Sequence, residues 1–282
     1  MSKVNVYAVL SPSKDKNIFY NPLNKLSMKK FHFLVLGFFF TSILISSCKK
    51  DDDDPVVDCN DYQWEYEGID GPDTWVNCYP DCGGTSQSPV NITGAVVDPG
   101  LTALETHYED VPIELINNGH TVEFDYETGS TLKLNGDDYN LLQFHFHTES
   151  EHTVDNLHYP MEVHLVHENE ASGNLAVIGI FIEEGNENTF FANFFNDLPP
   201  ATDDHYSSAT VVNVEGLLPS NGDYFTYSGS LTTPGCFEVV TWLVLKMPVE
   251  ASSTQIQQMH DIIHDNYRPV QLLNGREITA FN

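Results

Sequence analysis

Along the middle of the chain, apolar and polar residues alternate with a period of two. The clearest run is Gln143 to His167, QFHFHTESEHTVDNLHYPMEVHLVH. Such alternation predicts strands with one face toward a core and the other away from it. On the first strand Leu142, Phe144 and Phe146 share one face, and Gln143, His145 and His147 the other. On the second, Val163 and Leu165 oppose Glu162 and His164. Strand patterns recur at 114–116, 121–126, 131–134, 139–147, 162–167, 174–182, 211–214 and 237–247. Turns such as Glu127-Thr128-Gly129 and Asn135-Gly136-Asp137 separate them. Helical signals are few. Residues 189–197 form a short candidate that stops before Pro199-Pro200. Residues 253–266 place Ile256, Met259 and Ile263 on one stripe, with Pro269 beyond the end. The pattern predicts a mainly β fold with a few short helices, built on a large, twisted, mostly antiparallel central sheet.

The N-terminal segment breaks this pattern. The first 27 residues show no periodicity; Met28-Lys29-Lys30 then opens a positively charged start, followed by the apolar run 31–45 and Ser46-Ser47 before Cys48. This predicts a secretory signal peptide, too short for a comfortable membrane span, with Met28 as the expected true start. Ile45-Ser46-Ser47-Cys48 resembles a bacterial lipobox. The resemblance implies a lipidated Cys48 as mature N-terminus and an exported lipoprotein of the outer membrane, in the periplasm or at the cell surface. An ordinary signal peptide with Cys48 incidental is the alternative. Lys49-Lys50, the four aspartates 51–54 and Pro55 then read as a solvated tether. The expected organisation is an extension and signal peptide at 1–47, a lipid-anchored acidic tether at 48–60, and one large domain at 61–282.

Charge narrows the partners. The chain carries 12 Lys and Arg against 41 Asp and Glu, a formal net charge of −29. Residues 1–47 hold six of those bases and one acid, which leaves 6 against 40, or −34, from Cys48 onward. Such a surface repels nucleic acid and anionic headgroups, so membrane contact is expected only through the lipid on Cys48. Solubility is the plain reading, in a medium salty enough to screen the repulsion. Besides Cys48 there are Cys59, Cys78, Cys82 and Cys236, an even set that predicts two disulfides in one of three pairings. A zinc–thiolate site is the rival, but no CxxC pair is present.

If the segment between the two alternating strands folds the second beside the first, His145, His147 and His164 converge. A single strand His is ordinarily a satisfied core or surface residue. Two at i and i+2 are harder to bury neutral, because four ring nitrogens then need partners. A third on the next strand, with Gln143 and Glu162 as acceptors behind the rings, fits ligands that donate their other N–H outward. Three His without a fourth protein ligand leave one zinc position open, as catalytic zinc requires. His260 and His264 also have a chelating spacing, but solvent-facing imidazoles near a helix C-terminus are their plain reading.

QFHFH, SEHTVD and EVHLVH resemble the zinc-binding core of the α-class carbonic anhydrases. The likeness runs from Trp64 to the C-terminus, through WEYEG, GPDTW, QSPVNI, NNGH, AVIGIF, SLTTPG, VTWLVL and NYRPVQ. It implies a Zn2+ enzyme that reversibly hydrates CO2 to bicarbonate and a proton through zinc-bound hydroxide. His145, His147 and His164 would be the ligands, with Gln143 and Glu162 behind them. Thr232 resembles the hydroxyl that passes its proton to Glu151, and Thr232 with Thr233 would receive bicarbonate. Val166, Val177, Leu231, Val240 and Trp242 are similar to the apolar wall that holds CO2; taken singly they are plain core. His120 matches the proton shuttle, with His158 and His167 nearby in the chain as further candidates. His152 and Tyr227 match buried structural partners. The likeness selects Cys82 with Cys236 and leaves Cys59 with Cys78 by elimination. The short loop after His147, and Thr148 where many relatives carry Trp, put pocket detail in doubt rather than zinc. CO2 and bicarbonate are the implied partners, and a homodimer stays open. Two other classes compete: a silent family-like domain used for adhesion or scaffolding, and a zinc esterase.

Overall fold

The computed structural model of the protein describes residues 58–282. The segment expected to be a signal peptide, Cys48 with its expected lipidation, and most of the expected tether lie outside the described residues. In chain order the strands are β1 (Asn91–Ile92), β2 (Val96–Val97), β3 (Glu105–His107), β4 (Val111–Asn117), β5 (Val122–Asp125), β6 (Thr131–Leu134), β7 (Asp137–His147) and β8 (Thr153–Val154). They continue with β9 (Met161–Glu168), β10 (Leu175–Glu184), β11 (His205–Val212), β12 (Tyr224–Gly229), β13 (Val240–Leu245), β14 (Val249–Ala251) and β15 (Thr279–Phe281).

Thirteen of these form one sheet in the order β11-β4-β5-β7-β9-β10-β13-β12-β15-β2, with β6 carrying β3 beside β7, and β14 on β10. Most neighbours are antiparallel, as the turn-rich sequence predicts, but the sheet is mixed. β10 runs parallel to β13 and β14, and β15 parallel to β2. A parallel neighbour needs a long connection, and the chain between β10 and β13 supplies it by carrying β11 to the far edge.

The central strands bury both faces; seven of the eight residues of β9 are buried. One face holds Phe144, Phe146, Val163, Leu165, Ile178 and Ile180 against Phe190, Phe191, Phe194 and Phe195. The other carries Val166, Val177, Val240 and Trp242. Leu142, expected with Phe144 and Phe146, is only half-buried, and Leu141 takes the core place. The cause is a bulge: pairing with β9 skips from Leu141 to Gln143, so the extra residue shifts the alternation upstream of it.

Residues 189–197 make two 3-10 turns, Phe191–Asn193 and Phe195–Asp197, instead of a helix. Four buried phenylalanines there occupy more positions than one helical face offers, and Asn188 Oδ1 accepts the N–H of Phe190 and Phe191. Helix α1 (Ser253–Ile263) opens on a Ser252/Gln255 capping box. It ends three residues before the expected Asn266, because Asn266 pairs with Thr148 through N–H to O at 3.0 Å and Oδ1 to N–H at 2.9 Å. β11 begins earlier than its apolar pattern, and β12 falls outside the predicted strands. Of 237–247 only Val240–Leu245 is strand, and Phe237 and Val239 are exposed.

Disulfides join Cys59 to Cys78 and Cys82 to Cys236, packed with Tyr62, Trp64 and Trp75. The second closes a separation of 154 residues. Chain entropy assigns such a loop about 5 kcal/mol as an upper figure.

His167 lies on the core face of β9, because an odd offset from His164 reverses the side chain. Its Nε2 accepts the Tyr108 O–H at 2.9 Å, and Nδ1–H donates to the Ala176 carbonyl at 3.1 Å. It is therefore structural rather than a second proton carrier. Burial pushes its pKa down to about 4. The folded pKa is below the unfolded 6.5, so the neutral ring's contribution is complete above pH 6.5 and lost as pH falls toward 4. Full protonation costs roughly 3 kcal/mol. Urea unfolding of wild type and His167→Gln between pH 7 and 4 checks this: wild type should lose more stability by up to that amount, and parallel curves would contradict it.

Candidate metal centre

β7 and β9 pair antiparallel with His145 opposite His164 and His147 opposite Glu162. Alternation sends these four side chains to the face away from the phenylalanine core. The three rings lie 4.6 to 5.3 Å apart between centroids. One nitrogen from each falls within 4.8 Å of the others.

The remaining ring nitrogens are occupied by acceptors, which fixes each tautomer. His145 Nδ1–H donates to Gln143 Oε1 at 2.8 Å. His147 Nδ1–H donates to the Asn266 carbonyl at 2.8 Å. His164 Nε2–H donates to Glu162 Oε1 at 2.9 Å. That leaves Nε2 of His145 and His147 and Nδ1 of His164 facing one another. His147 Nε2 is buried without a hydrogen-bond partner, and so is Glu151 Oε2 3.6 Å away, itself 3.9 Å from His164 Nδ1. A buried imidazole lone pair with no partner is costly alone, and a cation at this point relieves it. The donor set fits zinc.

Electrostatics agree. Burial, helped by the neighbouring imidazoles, holds His145 well below the usual imidazole range and lowers His147 as well. Both are neutral at physiological pH, as ligands must be. Burial alone would raise the Glu162 carboxyl, but His152 and His164 outweigh it and hold it well below the usual carboxylate range. Glu162 reaches His164 because β10 carries Gly179 opposite it; a Cβ there would stand 2.9 Å from Glu162 Oε1. A second cluster, His152, Glu162 and His164, is also close enough to hold an ion. Its atoms already bind one another: His152 Nδ1 to Glu162 Oε1 at 2.8 Å, and His152 Nε2 to the Tyr227 hydroxyl at 2.6 Å. We therefore read it as support for the first.

Val166, Val177, Val240 and Trp242 form one buried cluster with Leu231 packed against it. The His164 ring lies 4.8 Å from Trp242, so this wall adjoins the triad. Thr232 is buried and Thr233 half-buried in the segment after β12. Glu151 Oε1 accepts the Arg268 N–H at 2.8 Å, and Thr232 makes no hydrogen bond to Glu151 here.

His120 stacks on Trp64 at 3.7 Å and 10°, with Nδ1 lacking a partner. Burial holds it below the usual imidazole range. It lines a cavity of about 490 Å³ together with Tyr66, His260 and His264. His260, half-buried, lies 3.7 Å from Asp265, and His264 is exposed. His158 Nδ1–H donates to the Ser150 carbonyl at 2.6 Å.

Asn266 carries a role that sequence reasoning missed. Its carbonyl orients His147, and its side-chain N–H donates to the His120 and Phe146 carbonyls. Glu123 is another: Gln143 Nε2–H donates to its Oε2 at 3.3 Å, and burial with Asp125 beside it pushes its pKa up to about 8. Asn266 lies within the quoted NYRPVQ motif; Glu123 had no signal beyond its place on a strand.

Known proteins share this arrangement of chain. The profile of the eukaryotic-type carbonic anhydrase family matches residues 70–282. A carbonic anhydrase of Klebsiella pneumoniae is 44% identical over 222 residues, covering 76% of this chain and 89% of the relative. One of Pectobacterium atrosepticum is 38% identical over 247 residues, covering 86% and 98%. Among solved structures, the Photobacterium profundum alpha-carbonic anhydrase superposes with a TM-score of 0.74 at 33% identity, covering 77% of this chain and all of that one. A family match over most of the described domain, on a fold that carries three converging imidazoles, means that this chain is an enzyme of the α-carbonic anhydrase family.

Proposed function

We propose that the protein reversibly hydrates CO2 to bicarbonate and a proton, with zinc on His145, His147 and His164 and proton export through His120. The observation that carries this is the convergence of three imidazole nitrogens whose opposite nitrogens are all held by acceptors. A zinc ion there supplies the Lewis acidity that lets water ionise near neutral pH, an effect for which the carbonic anhydrases are themselves the reference case.

The chain's own residues do the rest. Gln143, Glu162 and the Asn266 carbonyl hold the rings in one tautomer. Glu151, anchored by the Arg268 N–H, keeps a free acceptor oxygen toward the site, to which the Thr232 hydroxyl would donate while orienting the attacking oxygen. CO2 has no charge to grip, and it gains mostly by leaving water for the wall of Val166, Val177, Leu231, Val240 and Trp242. Thr232 and Thr233 receive the bicarbonate. His120, neutral and with an open Nδ1, takes the released proton and returns it to solvent. The acidic surface disfavours retention of the anionic product. At the other end of the chain we propose export and lipidation at Cys48, for which the apolar run 31–45 and the Ile45-Ser46-Ser47-Cys48 motif are the support.

Stopped-flow CO2 hydration tests this. The zinc-loaded protein should accelerate hydration, lose that on dialysis against a zinc chelator, and regain it with one equivalent of zinc. Zinc-loaded protein that cleaves activated esters but leaves CO2 at the uncatalysed rate would establish the esterase reading instead.

A further inference from the structure

We propose that Glu123 is a positioning residue of the metal centre, which acts through Gln143 to fix the ring of His145. The inference rests on the zinc reading above and extends it one layer outward, onto β5.

The geometry forms a chain. β5 pairs with β7 so that Glu123 lies opposite His145, and Asp125 opposite Gln143. Alternation puts all four on the face that carries the triad. Glu123 and Gln143 are 3% and 4% exposed, so neither side chain has ready access to bulk water. Gln143 Nε2–H donates to Glu123 Oε2 at 3.3 Å, and Gln143 Oε1 accepts His145 Nδ1–H at 2.8 Å.

A side-chain amide has a donor end and an acceptor end of nearly equal size, so packing alone does not decide which end faces His145. Only the carbonyl end can accept from Nδ1–H and leave Nε2 for the metal. The flipped amide would present N–H to the ring and favour the tautomer with Nδ1 as acceptor, which places a proton on the ligand nitrogen. Glu123 removes the ambiguity, since an oxygen of its carboxyl can accept the Gln143 N–H in either protonation state. The Gln143 amide donates to Glu123, and Asp125 in turn hydrogen-bonds that carboxyl.

The test is zinc affinity by chelator competition on the full protein, for Glu123→Ala, Gln143→Ala and the pair. Gln143→Ala should weaken zinc roughly 10- to 100-fold, the usual scale for a ligand's direct partner. Glu123→Ala, one layer further out, should weaken it about 3- to 10-fold, and by less than about twofold when Gln143 is already Ala. A merely structural role would give the same loss in both backgrounds, so additive effects would overturn the proposal, as would wild-type affinity in Glu123→Ala. If Glu123→Ala does not fold, Glu123→Gln serves. Its carbonyl can still accept but its amide can also turn, so an intermediate loss is expected, and wild-type affinity again overturns the role. A wild-type protein that binds no zinc would instead defeat the zinc reading itself.

Discussion

Replacing His164 with Ala should strip the protein of stoichiometric zinc at nanomolar free metal, and its CO2 hydration with it. His164 supplies one of three nitrogens, and its loss leaves two imidazoles from one strand and an incomplete, wetter site. The substitution also removes the N–H that Glu162 accepts at 2.9 Å, so a buried carboxylate keeps only its His152 contacts. Both effects act together, so the loss should exceed the roughly 10- to 100-fold expected for an outer partner such as Gln143 or Glu162. Metal analysis of the purified variant, with chelator competition, checks this. One zinc per chain retained by the variant would remove His164 from the ligand set.

Replacing His120 with Ala should lower kcat by at least about tenfold in weakly buffered solution, while kcat/KM for CO2 hydration stays nearly unchanged. Attack on CO2 and export of the proton are separate steps, and His120 serves only the second. The structure gives it the means: a ring stacked on Trp64, an unpartnered Nδ1, and a pKa lowered by burial so that the neutral form prevails at pH 7. A carboxylate with a pKa near 4 would be a poor substitute, because at neutral pH it holds a proton too weakly. Added imidazole buffer should restore turnover, since a diffusible base replaces the fixed one. Equal kcat for variant and wild type at every buffer concentration would reduce His120 to the turn residue that Asn117-Asn118-Gly119 suggests.

The strands that carry the site were the most legible part of the chain. In β7 and β9, period-two alternation identified both the core face and the face shared by His145, His147, Glu162 and His164, because burial on opposite faces demands different chemistry at neighbouring positions. Where that demand fades the pattern fades too. β11 at the sheet edge is largely exposed, so its outer residues carry little apolar signal, and only its end was read. The bulge at Leu142 was invisible, since Leu141 and Leu142 are equally apolar and only pairing with β9 chooses between them. At 189–197, apolar density mimics helical periodicity, and the chain makes two 3-10 turns.

The site followed the same logic. Two of the three rings share a strand with their nearest acceptors, so Gln143 behind His145 and Glu162 behind His164 could be read from spacing. Asn266 comes from the far end of the chain to hold His147 through a backbone carbonyl, which no side-chain pattern encodes. Glu123 belongs to β5, and its contact with Gln143 exists only through the β5–β7 register.

The central claim is that three imidazoles hold zinc and leave one position open. X-ray absorption at the zinc edge of the wild-type protein tests it most directly. The expected result is one zinc per chain with three imidazole nitrogens at about 2.0–2.1 Å and a single further oxygen or nitrogen from solvent or buffer. Sulfur in the first shell, or a fourth protein ligand closing the site, would contradict it.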